Sequence, residues 1–427
     1  MNWLAGVALA LAAAAQAAPL VVPARIDSVL RGMVRHGELV GVSALIYEDG
    51  REAYFGAFGQ SDREAGRAMS RDVLAQIQSM TKPIAAVALM QLHEQGRFQL
   101  DDPVAGYLPE FAEPRVWMGV DGDGEPVTEP AGRAITIRDL GRNTAGFAAS
   151  FGGPPELERF NAHHYASLGL ASSLDELVRF IASAPLVDHP GRRWTYDRAV
   201  NVQARLVEVL SGERFDDYLR EHVFKPLGMT STRFHVAPGD ADRARFAPTY
   251  SRQPDGRFQR VPDAQAHFYN DTDWRLRTGT FGLVSTLDDY MRFARMLLDG
   301  GVASDGARLL KPETVKLMAT DALPPDLADR SWLPSKGNVG FGINLGVRVG
   351  PPRHSGEFSG APGEFFWDGA ANTMFWVDPK HRIAAVLFSQ FFPPGDDRLN
   401  RAFRDAVYAA DPEAFAGNKP PPPSPRR

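Results

Sequence analysis

The sequence predicts a mixed α/β fold of the α+β kind, an antiparallel sheet flanked by helices with a mostly helical domain inserted into it. Three observations predict this. Val42-Ser43-Ala44-Leu45-Ile46-Tyr47 and Ala53-Tyr54-Phe55-Gly56-Ala57-Phe58 flank Asp49-Gly50, the dipeptide that a tight antiparallel turn favours. Near the other end, Thr373-Met374-Phe375-Trp376-Val377 and Ile383-Ala384-Ala385-Val386-Leu387-Phe388 flank Asp378-Pro379-Lys380-His381-Arg382, a second hairpin. Between them the pattern is mostly helical, and 427 residues with 44% apolar content can bury two domains or one domain with a large insertion.

Taken in chain order, residues 1–18 read as a signal peptide. An alanine-rich apolar run, too short for a confident membrane span, leads to the small-x-small cleavage pattern Ala15-Gln16-Ala17. No lysine or arginine precedes the run, and an uncleaved N-terminal helix or tether also fits it. The expectation is a periplasmic or secreted protein with no stable membrane span after cleavage. The absence of cysteine fits that compartment or the cytoplasm, and excludes a cysteine nucleophile and thiolate metal sites.

Arg25 to His36 then has helical spacing through Ile26, Val29, Leu30, Met33 and Val34. A helix-forming stretch follows Ser79 and stops near Gly96. Ser173 and Asp175 open a helix over 173–182, and Gly212 closes one over 200–210. The segments 113–133 and 238–273 carry Gly, Pro and Asp without periodicity and read as loops. Leu399 to Ala409 reads as a closing helix. The division that results is a discontinuous sheet domain (19–78 and 275–412), a helical domain (79–274) and a Pro-rich tail (413–427).

The 52 acidic and 47 basic residues are mixed along the chain, for a net charge of −5, so no nucleic-acid partner is expected. His93, the pair His163-His164, His189, His222 and His381 lack the spacing and carboxylate partners of a metal site, and none is expected.

Three short segments could carry chemistry. Ser79-Met80-Thr81-Lys82 sets a hydroxyl and an amine three residues apart on one helical turn, which suits a nucleophile with its own base and equally suits an N-cap serine followed by a solvated lysine. Tyr196, ahead of the helix over 200–210, is either a core aromatic or an acid/base group sharing a proton with Lys82. Trp367-Asp368-Gly369-Ala370 is either a plain turn into a strand or a place where backbone approaches a ligand. In the second reading the small residues Gly369, Ala370 and Ala371 let backbone come close, and a backbone N–H from this edge strand binds a developing oxyanion.

In order and separation these segments resemble the serine hydrolases of the class C β-lactamase fold, and within them the family VIII carboxylesterases and related transesterases. Ser79-Met80-Thr81-Lys82-Pro83 matches their first motif, and Tyr196 stands where their catalytic tyrosine is expected. The match runs on through Leu100-Asp101-Asp102-Pro103-Val104, Asn143-Thr144-Ala145-Gly146, Phe224-Lys225-Pro226-Leu227-Gly228-Met229 and Gly282-Leu283-Val284-Ser285-Thr286. The resemblance implies a β-lactamase/penicillin-binding-protein-like fold. It also implies a serine carboxylesterase with Ser79 as nucleophile, Lys82 as base and Tyr196 as proton carrier, acting on a small-molecule ester with no metal or organic cofactor. By the same resemblance the Ser79 and Ala370 N–H groups bind the oxyanion, and Trp367 and Gly369 lie against substrate.

The departures matter too. Arg198 stands where the β-lactamases have the asparagine of Tyr-x-Asn, Asn143 replaces a common histidine, and Trp367-Asp368-Gly369 replaces Lys-Thr-Gly. The lost lysine and the negative charge of Asp368 argue against efficient β-lactam hydrolysis. The alternatives are β-lactamase or D-amino-acid peptidase activity, or a non-catalytic peptidoglycan-binding homologue.

Overall fold

A computed structural model describes residues 19–148, 154–159, 169, 172–196, 198–327, 329–394 and 397–420. The expected leader, His163-His164, most of the segment 147–168 and the last residues of the tail lie outside the described residues.

The two expected hairpins join edge to edge. Strand Gly41–Glu48 pairs antiparallel with Ile383–Phe388, from Ser43 opposite Phe388 to Glu48 opposite Ile383. This pairing closes an eight-stranded antiparallel sheet in the order Val339–Phe341, Gly346–Arg348, Phe365–Gly369, Thr373–Asp378, Ile383–Phe388, Gly41–Glu48, Arg51–Asp62, Arg67–Ala68. Asp49 and Gly50 have φ of 50° and 75°, the pair of positive angles that a two-residue hairpin turn needs to match strand twist.

Every residue of Thr373–Asp378 and Ile383–Phe388 is buried, so both faces of the sheet centre are covered. Neighbouring side chains on a strand point to opposite faces, and here they identify the two layers. Phe375 meets Tyr290 of helix Leu287–Leu298 at 5.1 Å, whereas Trp376 meets Phe403 of helix Asp397–Tyr408 at 5.2 Å. Helix Pro23–Arg35 packs beside the latter.

Helix Thr81–Glu94 has no polar stripe and is buried on nearly every side, as a central helix must be. It packs against helix Ala199–Ser211, which ends at Gly212 with φ of 78°. Capping boxes on Thr136 and Ser173 start helices Ile137–Gly141 and Leu174–Ser183. Among the described residues no helix is long and apolar enough to cross a membrane.

Two expected loops contain strands instead. Arg115–Val120 and Pro126–Pro130 form a hairpin around Asp121, whose carboxylate accepts the Asp123 and Glu125 N–H groups at 2.9 Å. The ladder shifts register between Trp117 and Gly119, which breaks the alternation that would have revealed it. Its anchor is distant in sequence, the Trp117 N–H to the Leu186 carbonyl at 2.8 Å. Within 238–273, Tyr250–Arg252 and Phe258–Arg260 pair, and Phe391–Phe392 adds a third strand. Strands of two or three residues are too short to show a period.

Three of the histidines meet carboxylates that folding brings to them. His381 bonds Asp378 at 2.6 Å and lies 3.0 Å from Asp411, while His189 and His222 meet Glu129 and Glu213 at 3.1 and 2.9 Å. These are single or paired carboxylate contacts between residues brought together by folding.

Candidate active site

Ser79 sits in a tight 3-10 turn, Gln78–Met80, which runs directly into helix Thr81–Glu94, so it is not the N-cap of a regular helix. Four distant segments hold this turn. The Ile77 N–H donates to Leu283 O at 3.1 Å, the Thr373 hydroxyl to Ile77 O at 3.3 Å, and the Tyr290 hydroxyl to Met80 O at 2.8 Å. The fourth is Gly369. A β-carbon there would lie 2.3 Å from Ile77 O, so only glycine lets the strand Phe365–Gly369 pass this close to the turn.

The turn leaves Ser79 half-buried and places Lys82, with 2% of its surface exposed, beneath it. Lys82 Nζ lies 3.0 Å from Ser79 Oγ, 2.9 Å from Thr280 O and 4.5 Å from the centre of the Tyr196 ring. The Thr280 carbonyl is itself positioned. Asn201 Oδ1 accepts the Gly279 N–H at 3.1 Å and the Thr280 hydroxyl at 3.4 Å, and Gly279 passes so near helix Ala199–Ser211 that a β-carbon would be 2.3 Å from Val200 O.

Tyr196 arrives from the segment ahead of that helix and is 8% exposed. The Trp367 indole N–H donates to its hydroxyl at 2.8 Å. Trp194 stacks on the ring at 5.8 Å and Trp332 meets it edge-on at 5.2 Å. Trp367 is 1% exposed, so it presents almost no area to a ligand, and its expected place in a pocket wall gives way to holding the tyrosine. Asn143 has φ of 59°, a left-handed conformation that asparagine tolerates, and its carbonyl accepts the Thr195 N–H at 2.8 Å.

At the third segment, Ala370 lies in the turn leaving the strand Phe365–Gly369, half-buried, and its N–H donates to no carbonyl among the described residues. Asn372, with φ of 57°, closes the turn by donating its N–H to Gly369 O at 3.0 Å. Asp368 is not a free negative charge. Lys336 donates to its carboxylate while its ammonium lies 5.3 and 5.5 Å from the Trp332 and Trp367 rings. The expected repulsion of a β-lactam carboxylate by Asp368 therefore does not hold, because Lys336 neutralises that carboxylate.

The folded chain thus gathers Ser79, Lys82, Tyr196, Trp367 and Gly369 into one linked set of contacts. Sequence reasoning missed Asn201, Thr280, Trp332 and Lys336. Asn201 was within sight, one helical turn beyond Arg198, but Thr280 acts through its main chain and leaves no side-chain signature.

Three known proteins are similar to the chain. The chain is 34% identical over 369 residues to Protein Rv1367c of Mycobacterium tuberculosis, covering 85% of this chain and 89% of that one. It is 31% identical over 412 residues to Esterase EstB of Burkholderia gladioli, covering 90% and 95%. Among solved structures, EstCE1, described as a hydrolase with promiscuous acyltransferase activity, superposes with a TM-score of 0.72 at 25% identity over 90% of this chain and 98% of that one. The family model named Beta-lactamase matches residues 26–410, nearly the whole described span, and the chain therefore belongs to the beta-lactamase family.

Proposed function

We propose that the protein is a serine carboxylesterase, hydrolysing small-molecule esters through an acyl-enzyme on Ser79. The observation that carries the proposal is the 3.0 Å approach of Lys82 Nζ to Ser79 Oγ beneath a half-buried serine. A serine hydroxyl attacks a carbonyl only when a base at hydrogen-bond distance removes its proton, and a neutral lysine amine in this place can do so. The names of two relatives, an esterase and a hydrolase with acyltransferase activity, support the reaction class.

In this mechanism Lys82 takes the Ser79 proton as Oγ bonds to the ester carbonyl carbon. The carbonyl oxygen, now negative, lies between the N–H groups of Ser79 and Ala370. The ester C–O bond then breaks and the leaving alkoxide receives its proton through Tyr196. The Trp367 N–H, aimed at the phenol oxygen, supports negative charge there while the proton is in transit. Water repeats the sequence on the acyl-enzyme, or a second alcohol takes the acyl group.

A second reading is β-lactam hydrolysis, since the pairing of Asp368 with Lys336 removes the uncompensated negative charge that would repel a β-lactam carboxylate at the third segment. Turnover of p-nitrophenyl butyrate and of nitrocefin by wild type and Ser79→Ala decides between them. Ester turnover far above nitrocefin turnover, lost in Ser79→Ala, is expected; undiminished ester turnover in Ser79→Ala removes the mechanism. Residues 1–18 are proposed as an export leader, checked by N-terminal sequencing of protein recovered from the periplasmic fraction.

A further inference from the structure

A cleft of about 550 Å³ opens beside Gln78, the chain neighbour of Ser79, and a second lobe of about 250 Å³ continues from it past Gln265 and Ala266. Together they have the size of a small-molecule site. The lining is rich in amides. Gln78, Gln259 and Gln265 face the cleft with side chains that take no hydrogen-bond partner among the described residues. Two other glutamines there are committed, Gln76 to Asn270 at 2.8 Å and Gln253 to the Ser251 carbonyl at 3.3 Å. Gln78 has φ of 48°, a left-handed angle that a glutamine adopts only when its surroundings impose it.

Charge is nearly absent from this lining. Among the described residues only Arg260 brings a charged side chain to it, and that guanidinium bonds Asp62 at 2.7 Å and Asp263 at 2.8 Å. In the second lobe, Phe268 and Phe281 offer ring surface, being 52% and 37% exposed. An anionic ligand would need a free cation and a cationic one a free carboxylate; neither is present. An alkyl chain would leave three amides stripped of water and unpaired. A primary amide both donates and accepts, as does a hydroxyl group, while an aromatic face suits the C–H face of a ring.

We propose that this cleft binds the alcohol half of the substrate and that this alcohol is a neutral, hydroxyl-rich molecule of the sugar or polyol class. The proposal rests on the serine-ester reading above. Attack by Ser79 Oγ breaks the ester C–O bond, the polyol oxygen leaves carrying the proton delivered through Tyr196, and water later releases the acid from Ser79.

The test compares butyrate release from methyl glucoside 6-butyrate and from hexyl butyrate, followed by titration, for wild type, Gln259→Leu, Gln265→Leu and Ser79→Ala. Both glutamines are exposed, so folding should tolerate the substitutions, which a thermal melt verifies. Wild type is expected to prefer the sugar ester by at least about 10-fold in kcat/KM, and each leucine to lower that ratio about 5- to 10-fold, mainly through KM. No preference for the sugar ester, an unchanged ratio in both leucine variants, or a stronger preference for a matched hydroxyl-free peptide ester would overturn the inference while leaving the esterase intact. Retention of both activities in Ser79→Ala would instead overturn the reading beneath it, and this inference with it.

Discussion

Replacing Tyr196 by phenylalanine removes one oxygen and leaves a ring still packed against Trp194, Trp332 and Trp367. Two effects should separate cleanly. The first is structural. The oxygen accepts the indole N–H of Trp367, which is 1% exposed, so the substitution strands a buried donor at a cost of about 1–3 kcal/mol. With 427 residues and an unfolding entropy of about 2.1 cal/mol/K per residue, that corresponds to a fall of roughly 1–3 °C in Tm. The second is chemical. If the phenol carries the proton to the leaving alkoxide, kcat should fall by about 10²–10⁴, on the order of 3–5 kcal/mol of barrier. Trp367→Phe is the companion variant, because it keeps the phenol and removes its donor. About a 10-fold loss in kcat is expected there, with a Tm change of similar size to the first. The assay is kcat and KM for p-nitrophenyl butyrate across pH, beside a calorimetric melt of each variant. A Tyr196→Phe enzyme whose kcat stays within about threefold of wild type would refute the proton-carrier role and leave Tyr196 as a packing residue.

Three further outcomes are expected. Gly369→Ala should destabilise by about 1–3 kcal/mol and lower kcat, because its β-carbon would meet Ile77 O and Thr373 Oγ1 at 2.3 Å and push on the Ser79 turn; a melt and an activity assay check both. Lys336→Met and Asp368→Asn should each cost about 1–3 kcal/mol by leaving one partner of a largely enclosed ion pair, and the double variant Lys336→Met with Asp368→Asn should cost less than the sum, read from urea midpoints as a double-mutant cycle. His381 has its pKa raised above 6.5 first by its hydrogen bond to Asp378, so its stabilising contribution is fully present below pH 6.5 and is lost as pH rises through the folded value. The Tm difference between wild type and His381→Gln should accordingly be largest near pH 5–6 and shrink at alkaline pH.

Much of the site was legible because its logic is local. A spacing of three residues puts Ser79 and Lys82 on one face whether the turn is 3-10 or α, so the pair survives the finding that the α-helix starts at Thr81. Asp49-Gly50 needs positive φ at both positions, and Gly212 needs it at a helix end, so both could be placed from residue type alone. The hairpin over 115–130 was hidden because its bulge cancels the period and its anchor, Leu186, lies far along the chain.

By itself, then, the sequence determined the turns, the helix faces and the nearness of Ser79 to Lys82, since each depends on backbone preference or on spacing within one element. The tertiary structure alone decided which groups surround that pair. The Thr280 carbonyl under Lys82, the indole of Trp367 on Tyr196, the Lys336 charge on Asp368 and the free amides beside Gln78 all come from segments joined by sheet order and packing. Contacts of that kind follow from how strands from opposite ends of the chain, 41–48 and 383–388, join in one sheet, and no local period encodes them.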